Sequence, residues 1–67
     1  MRGIYTQDLG NGYTLIDRGV DMDLNHVDGT SIYITGKQRY DFYKGRDAFD
    51  GTLGEYAAAY AEKRKAA

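Results

Sequence analysis

One histidine, no cysteine and a run of aspartates set the range of chemistry open to this 67-residue chain. His26 is followed by Asp28 and Ser31, the residue types of a nucleophilic triad. They flank a turn, where neighbouring side chains point apart, and no nucleophile elbow or oxyanion-hole pattern accompanies them, so His26 reads as a solvated or hydrogen-bonded turn residue. Asp21-x-Asp23-x-Asn25 begins as a calcium loop does, with oxygen ligands at alternate positions. The pattern then fails: His26 stands where the sharp turn needs glycine and Ile32 where a bidentate glutamate is needed. The glycines show no Walker or dinucleotide-binding spacing. The residues therefore predict no enzyme, no cofactor and no metal, and leave binding surfaces as the chemistry available.

Two such surfaces compete. Seven tyrosines supply rigid apolar bodies with polar tips, suited to half-buried sheets and to recognition. Tyr33 and Tyr43, set among Asp21, Asp23, Arg39 and Asp41, form a predicted protein-binding face whose acids would steer a basic partner. Lys37, Arg39, Lys44 and Arg46, interleaved with Tyr33, Tyr40 and Tyr43, form the alternative, a nucleic-acid surface combining phosphate contact with base stacking. The acidic first half argues against that alternative: residues 1–36 carry Arg2 and Arg18 against five aspartates, while residues 37–67 carry seven cations against five acids.

The elements that must position these residues are short strands joined by glycine turns. Asn11-Gly12 accepts the positive φ angles of a two-residue hairpin, joining a strand near residues 3 to 9 to one beginning at Tyr13. Val20, Met22 and Leu24 alternate with Asp21, Asp23 and Asn25, so residues 13 to 25 read as a single long strand bent at Gly19. A three-residue loop, Val27-Asp28-Gly29, sets Leu24 opposite Ile32 and Met22 opposite Ile34 and keeps the aliphatic side chains on one face. The same test at Gly36-Lys37-Gln38 predicts a further strand, with Tyr40 opposite Ile34 and Phe42 opposite Ile32. The core face then reads Val20, Met22, Leu24, Ile32, Ile34, Tyr40 and Phe42; Asp21, Asp23, Asn25, Ser31, Tyr33, Thr35, Arg39, Asp41 and Tyr43 lie on the reverse.

Thr52-Leu53-Gly54-Glu55 fits a capping box, and Leu53, Tyr56, Ala57, Tyr60, Ala61 and Arg64 recur beyond it at helical spacing. That helix covers the apolar face, with Lys63, Arg64 and Lys65 at its negative end. Residues 45 to 51 connect sheet to helix, with Phe49 anchored inward. The predicted fold is thus one α+β domain over residues 1–67, a three- to four-stranded antiparallel sheet with one C-terminal helix packed on one face.

A core of this size supplies only about 3 to 5 kcal/mol, which makes a homodimer or a partner-bound state plausible. With no cysteine and no apolar run of signal-peptide or membrane-span length, the expected location is the cytoplasm, without membrane association.

In outline, three strands followed by a helix over residues 20–64 are similar to plant ethylene-response DNA-binding domains and the arm-binding domains of phage integrases. That likeness implies base reading from strand positions near Arg39, Asp41 and Tyr43. In style, a small cysteine-free, tyrosine-rich domain with an acidic patch resembles the accessory inhibitors of phages and mobile elements, anti-CRISPR proteins included. The expected function is non-catalytic binding of a protein, such as a nucleic-acid-binding complex, through the tyrosine- and aspartate-bearing sheet face.

Overall fold

Six elements follow one another in the computed structural model, which describes residues 4–66: β1 (Tyr5–Gly10), β2 (Tyr13–Asp17), β3 (Met22–His26), β4 (Ser31–Ile34), α1 (Gly36–Ala48) and α2 (Leu53–Ala66). The strands form one antiparallel sheet in the order β1-β2-β3-β4. The predicted start of the first strand at Gly3 lies outside the described residues. No helix among the described residues is long and apolar enough to cross a membrane.

Local turn chemistry builds the sheet as expected at two of its three connections. Asn11 and Gly12 both take positive φ, 55° and 83°, which closes the β1–β2 hairpin. At the β3–β4 turn the His26 amide donates to the Thr30 carbonyl over 2.9 Å, and Leu24 faces Ile32 and Met22 faces Ile34 in the register that keeps aliphatics together.

The third connection corrects the single strand expected over residues 13 to 25. The Asp17 carboxylate accepts the Gly19 amide at 2.8 Å and the Arg18 amide donates to the Asp21 carbonyl at 2.9 Å, so the chain reverses. β2 and β3 then pair antiparallel, with Leu15 opposite Leu24 and Asp17 opposite Met22. A glycine within an alternating pattern marks bend and reversal alike, and the aspartate side chain decides for reversal by capping the turn. Val20, expected in the core, is carried onto this turn and is 72% exposed.

The larger correction is a second helix. Residues 39–43, expected as a strand after a turn at Gly36-Lys37-Gln38, belong to α1. Thr35 caps it: the Thr35 hydroxyl accepts the Gln38 amide and the Gln38 side-chain oxygen accepts the Thr35 amide. Arg39, Phe42, Tyr43 and Arg46 stand at i, i+3, i+4 and i+7, a helical stripe that coexists with the Tyr40/Phe42 alternation and prevails over it. Phe42 is accordingly buried, while Tyr40, expected beside it in the core, is 67% exposed. The connection expected at residues 45 to 51 shrinks to residues 49–52, and Gly45 lies inside α1.

α2 begins as predicted, with Thr52 and Glu55 exchanging capping hydrogen bonds of 2.9 and 3.1 Å. Tyr56, Ala57 and Ala61 are buried on its inner stripe. The small side chains let α2 lie close to the sheet. At one end Gly54 abuts the β1–β2 hairpin, and at the other Arg64 reaches the Tyr33 carbonyl of β4. Leu9, Leu15, Met22, Leu24, Ile34, Phe42, Tyr56 and Ala57 make the core, in which the Phe42 ring stands 5.2 Å from that of Tyr56 and 5.0 Å from that of Tyr60. Both helices therefore cover one face of the sheet.

Candidate functional site

Cross-strand pairing lays out the uncovered face in two rows, Thr6–Ile16–Asp23–Tyr33 and Asp8–Thr14–Asn25–Ser31. At one end of this face Arg18 holds two carboxylates, its Nε 2.6 Å from Asp21 Oδ1 and its Nη1 2.6 Å from Asp23 Oδ2. The Tyr33 hydroxyl donates to the other Asp21 oxygen, also at 2.6 Å. The hydrogen bond from Tyr33, and then that from Arg18, lowers the Asp21 pKa, and the same carboxylate raises that of Tyr33. The result is a tyrosine ring 52% exposed yet tethered at its hydroxyl to a network anchored on two strands and a turn.

Tyr33, Asp21 and Asp23 are thus brought together as the sequence suggested. The other three residues of that predicted face are not. Tyr43 and Arg39 sit on the inward stripe of α1, and Asp41 is an exposed α1 residue bordering the groove between the helices. The physical reason is the helix itself: a period near 3.6 keeps positions 39 and 43 on the inward stripe and turns 41 away from them, where a strand would have aligned all three on the open face.

Arg39 and Tyr43 meet instead at Asp17, a residue only 6% exposed beneath α1. Arg39 Nε and Nη2 donate to the two Asp17 oxygens at 2.9 and 3.0 Å, and the Tyr43 hydroxyl donates to one of them at 2.6 Å. Burial alone would push the Asp17 pKa up; the hydrogen bonds from Arg39, Tyr43 and the Gly19 amide outweigh it and hold the group at about 2. Burial, reinforced by the hydrogen bond to Asp17, pushes the Tyr43 phenol up to about 12. Asp17 was not among the residues expected to matter, and its place between Ile16 and Arg18 on an open strand pattern carries no local mark of a partner far along the chain.

The four cations of the alternative surface are divided as well. Arg39 is committed to Asp17, and Arg46 lies over the Tyr43 ring at 4.8 Å. Lys37 and Lys44 are exposed on the outer side of α1 with Tyr40 between them, the Lys44 Nζ 5.6 Å from the Tyr40 ring centroid. They form a stripe of two charges and one ring.

His26 closes a turn. Its Nδ1 lies 3.2 Å from the Asp28 amide that donates to it, its Nε2 is 3.0 Å from the Asn11 carbonyl, and its ring packs on Tyr13 at 4.3 Å. Ser31 donates to Asn25 on the open face and makes no hydrogen bond with His26. Asp28 accepts from Thr30, which with His26 lowers its pKa to about 2.

The chain matches no protein-family model, no curated protein and no solved structure.

Proposed function

We propose that this chain is a non-catalytic protein-binding module whose contact surface is the open sheet face centred on Tyr33, Asp21 and Asp23. The observation that carries the reading is the Tyr33–Asp21–Arg18–Asp23 network. A half-exposed aromatic that is already held in place loses little side-chain freedom on binding, and aromatics of this kind dominate interface energetics. Asp8, Asp21 and Asp23 against Arg18 leave this face net negative, so the matching partner presents a basic surface. A protein that itself handles nucleic acid carries such a surface. Occupying it would make the chain an accessory inhibitor of the kind phages and mobile elements deploy in the cytoplasm, anti-CRISPR proteins among them.

The test is capture from the native host with the wild-type chain and with Tyr33→Ala. The variant is expected to fold normally and to lose more than about tenfold in affinity for the captured partner. A folded Tyr33→Ala chain that captures the same partner undiminished would place the contact surface elsewhere.

A second reading rests on the exposed Lys37–Tyr40–Lys44 stripe of α1. Nucleic-acid binding there would weaken steeply as salt rises, through counterion release, and would be lost in Lys37→Glu with Lys44→Glu. Two cations make this the lesser case.

A further inference from the structure

We propose that the outer edge of β4 takes up an extended acidic peptide as a fifth strand of the sheet. This site lies beside the open face but does not depend on the reading given for it. Hydrogen-bonded and non-bonded pairs alternate along an antiparallel ladder. The His26–Thr30 bond sets that alternation for β3 and β4, making Leu24–Ile32 and Met22–Ile34 the bonded pairs. The amide and carbonyl groups of Ser31 and Tyr33 then point outward, away from β3. The Tyr33 carbonyl verifies this, since it accepts from Arg64 Nη2 at 2.9 Å on that side. β4 is the last strand of the sheet, and its edge carries neither proline nor a bulge, two of the devices that prevent further pairing.

A groove of about 530 Å³ runs along this edge, lined among others by Ser31, Ile32, Tyr33, Gln38, Arg64 and Lys65. Among the described residues no carboxylate lines it. Arg64 is hydrogen-bonded to the Tyr60 hydroxyl and the Tyr33 carbonyl, both neutral acceptors, so its charge is unmatched among the described residues. Lys65 is exposed beside it. An added strand would place alternate side chains toward α2, where acidic ones meet Arg64 and Lys65 and apolar stems rest on Ile32. Charge also argues against a second copy of this chain. Pairing β4 with β4 in a continuous sheet, helices on one side, would bring the Arg64 and Lys65 residues of both copies to the same seam. The outward backbone groups match the spacing of a peptide rather than that of a sugar-phosphate chain.

The experiment uses a fluorescent peptide of about eight residues, alternating valine with glutamate, titrated into the whole chain by anisotropy and by amide NMR. Binding is expected, with the largest amide shifts at Ser31 and Tyr33. The same peptide with lysine for glutamate, or with alternate amides N-methylated, is expected to bind at least about tenfold more weakly. Arg64→Gln and Lys65→Glu should each weaken the acidic peptide, and Asp23→Asn on the open face should not. Because Arg64 also touches Tyr60, the solvent-exposed Lys65→Glu keeps the test valid if Arg64→Gln disturbs α2. Equal binding of the lysine or N-methylated peptide, or amide shifts confined to another surface, would overturn the proposal. Displacement of the peptide by oligothymidylate would reassign the groove to nucleic acid, and dimerisation through β4 would reassign it to a second copy; either overturns it too.

Discussion

Asp17 and Arg39, one ending β2 and the other in the second turn of α1, meet through two hydrogen bonds of 2.9 and 3.0 Å. The pair, completed by Tyr43, ties the first helix to the centre of the sheet rather than to its neighbour β4. Replacing Asp17 with asparagine removes the charge from both bonds. It is expected to destabilise the fold by about 2 kcal/mol at neutral pH, in the range for hydrogen bonds to charged groups. Chemical denaturation checks this, with Asp21→Asn as the less buried comparison expected to change stability less.

The same carboxylate makes the fold acid-sensitive in a defined window. Its folded pKa of about 2 lies below the ordinary 3.8, so its contribution is complete above that ordinary value and is lost as pH falls toward 2. Asp28, also held at about 2, acts with the same sign from the β3–β4 turn. Melting temperatures of the wild-type chain are expected to drop between about pH 4 and pH 2, and Asp17→Asn should flatten that slope.

Tyr43 reverses the sign at the alkaline end. Its phenol is raised from 10.0 to about 12 in the folded chain, so its contribution is complete below the ordinary value and disappears as pH rises through the folded one. Ultraviolet titration of tyrosinate should show a late-ionising group that is absent in Tyr43→Phe. Stability of the wild-type chain should fall across the same interval more steeply than that of the variant.

Gly54→Ala should destabilise, against the usual helix preference. Alanine in a helix interior is ordinarily favoured over glycine by about 1 kcal/mol. Here the added carbon would lie 2.9 Å from the Gly10 carbonyl carbon and 2.9 Å from Asn11 Cγ, and backbone cannot give way cheaply. A thermal melt of this variant with Ala59→Gly, an exposed site in the same helix, separates the two effects: both should lower the melting temperature, the first by lost docking and the second by propensity. An unchanged or higher melting temperature for Gly54→Ala would mean that α2 does not rest on the hairpin in this way.

Tyr33→Ala should leave the melting temperature close to wild type, since the ring packs on the open face and not in the core. Asp21→Asn with Asp23→Asn should slow association with a basic partner and reduce its salt dependence. Stopped-flow association at two ionic strengths measures both.

Part of this architecture is legible in the residues alone. The Thr52–Glu55 capping box, the inward Tyr56, Ala57 and Ala61, the Asn11-Gly12 hairpin and the Leu24–Ile32 register follow from local rules whose partners lie within a few residues of each other. α1 carries the same local signal. Thr35-Gly36-Lys37-Gln38 is a capping box of the same form as Thr52-Leu53-Gly54-Glu55, but the β-forming residues Tyr40, Phe42 and Tyr43 and the alternation of two of them favoured a strand.

The sequence by itself determined the β1–β2 and β3–β4 turns, which stripe of α2 is apolar, and that Asp21, Asp23 and Tyr33 share a face, because these depend on φ angles, capping and side-chain period over short spans. Tertiary structure alone decided that Tyr43 faces Asp17 instead of solvent and that Arg64 reaches the edge of β4. Arg39 and Tyr43 find Asp17 across 22 and 26 residues, and Arg64 finds Tyr33 across 31. Contacts at such separations come from packing two helices on one sheet, and no periodicity in the sequence encodes them.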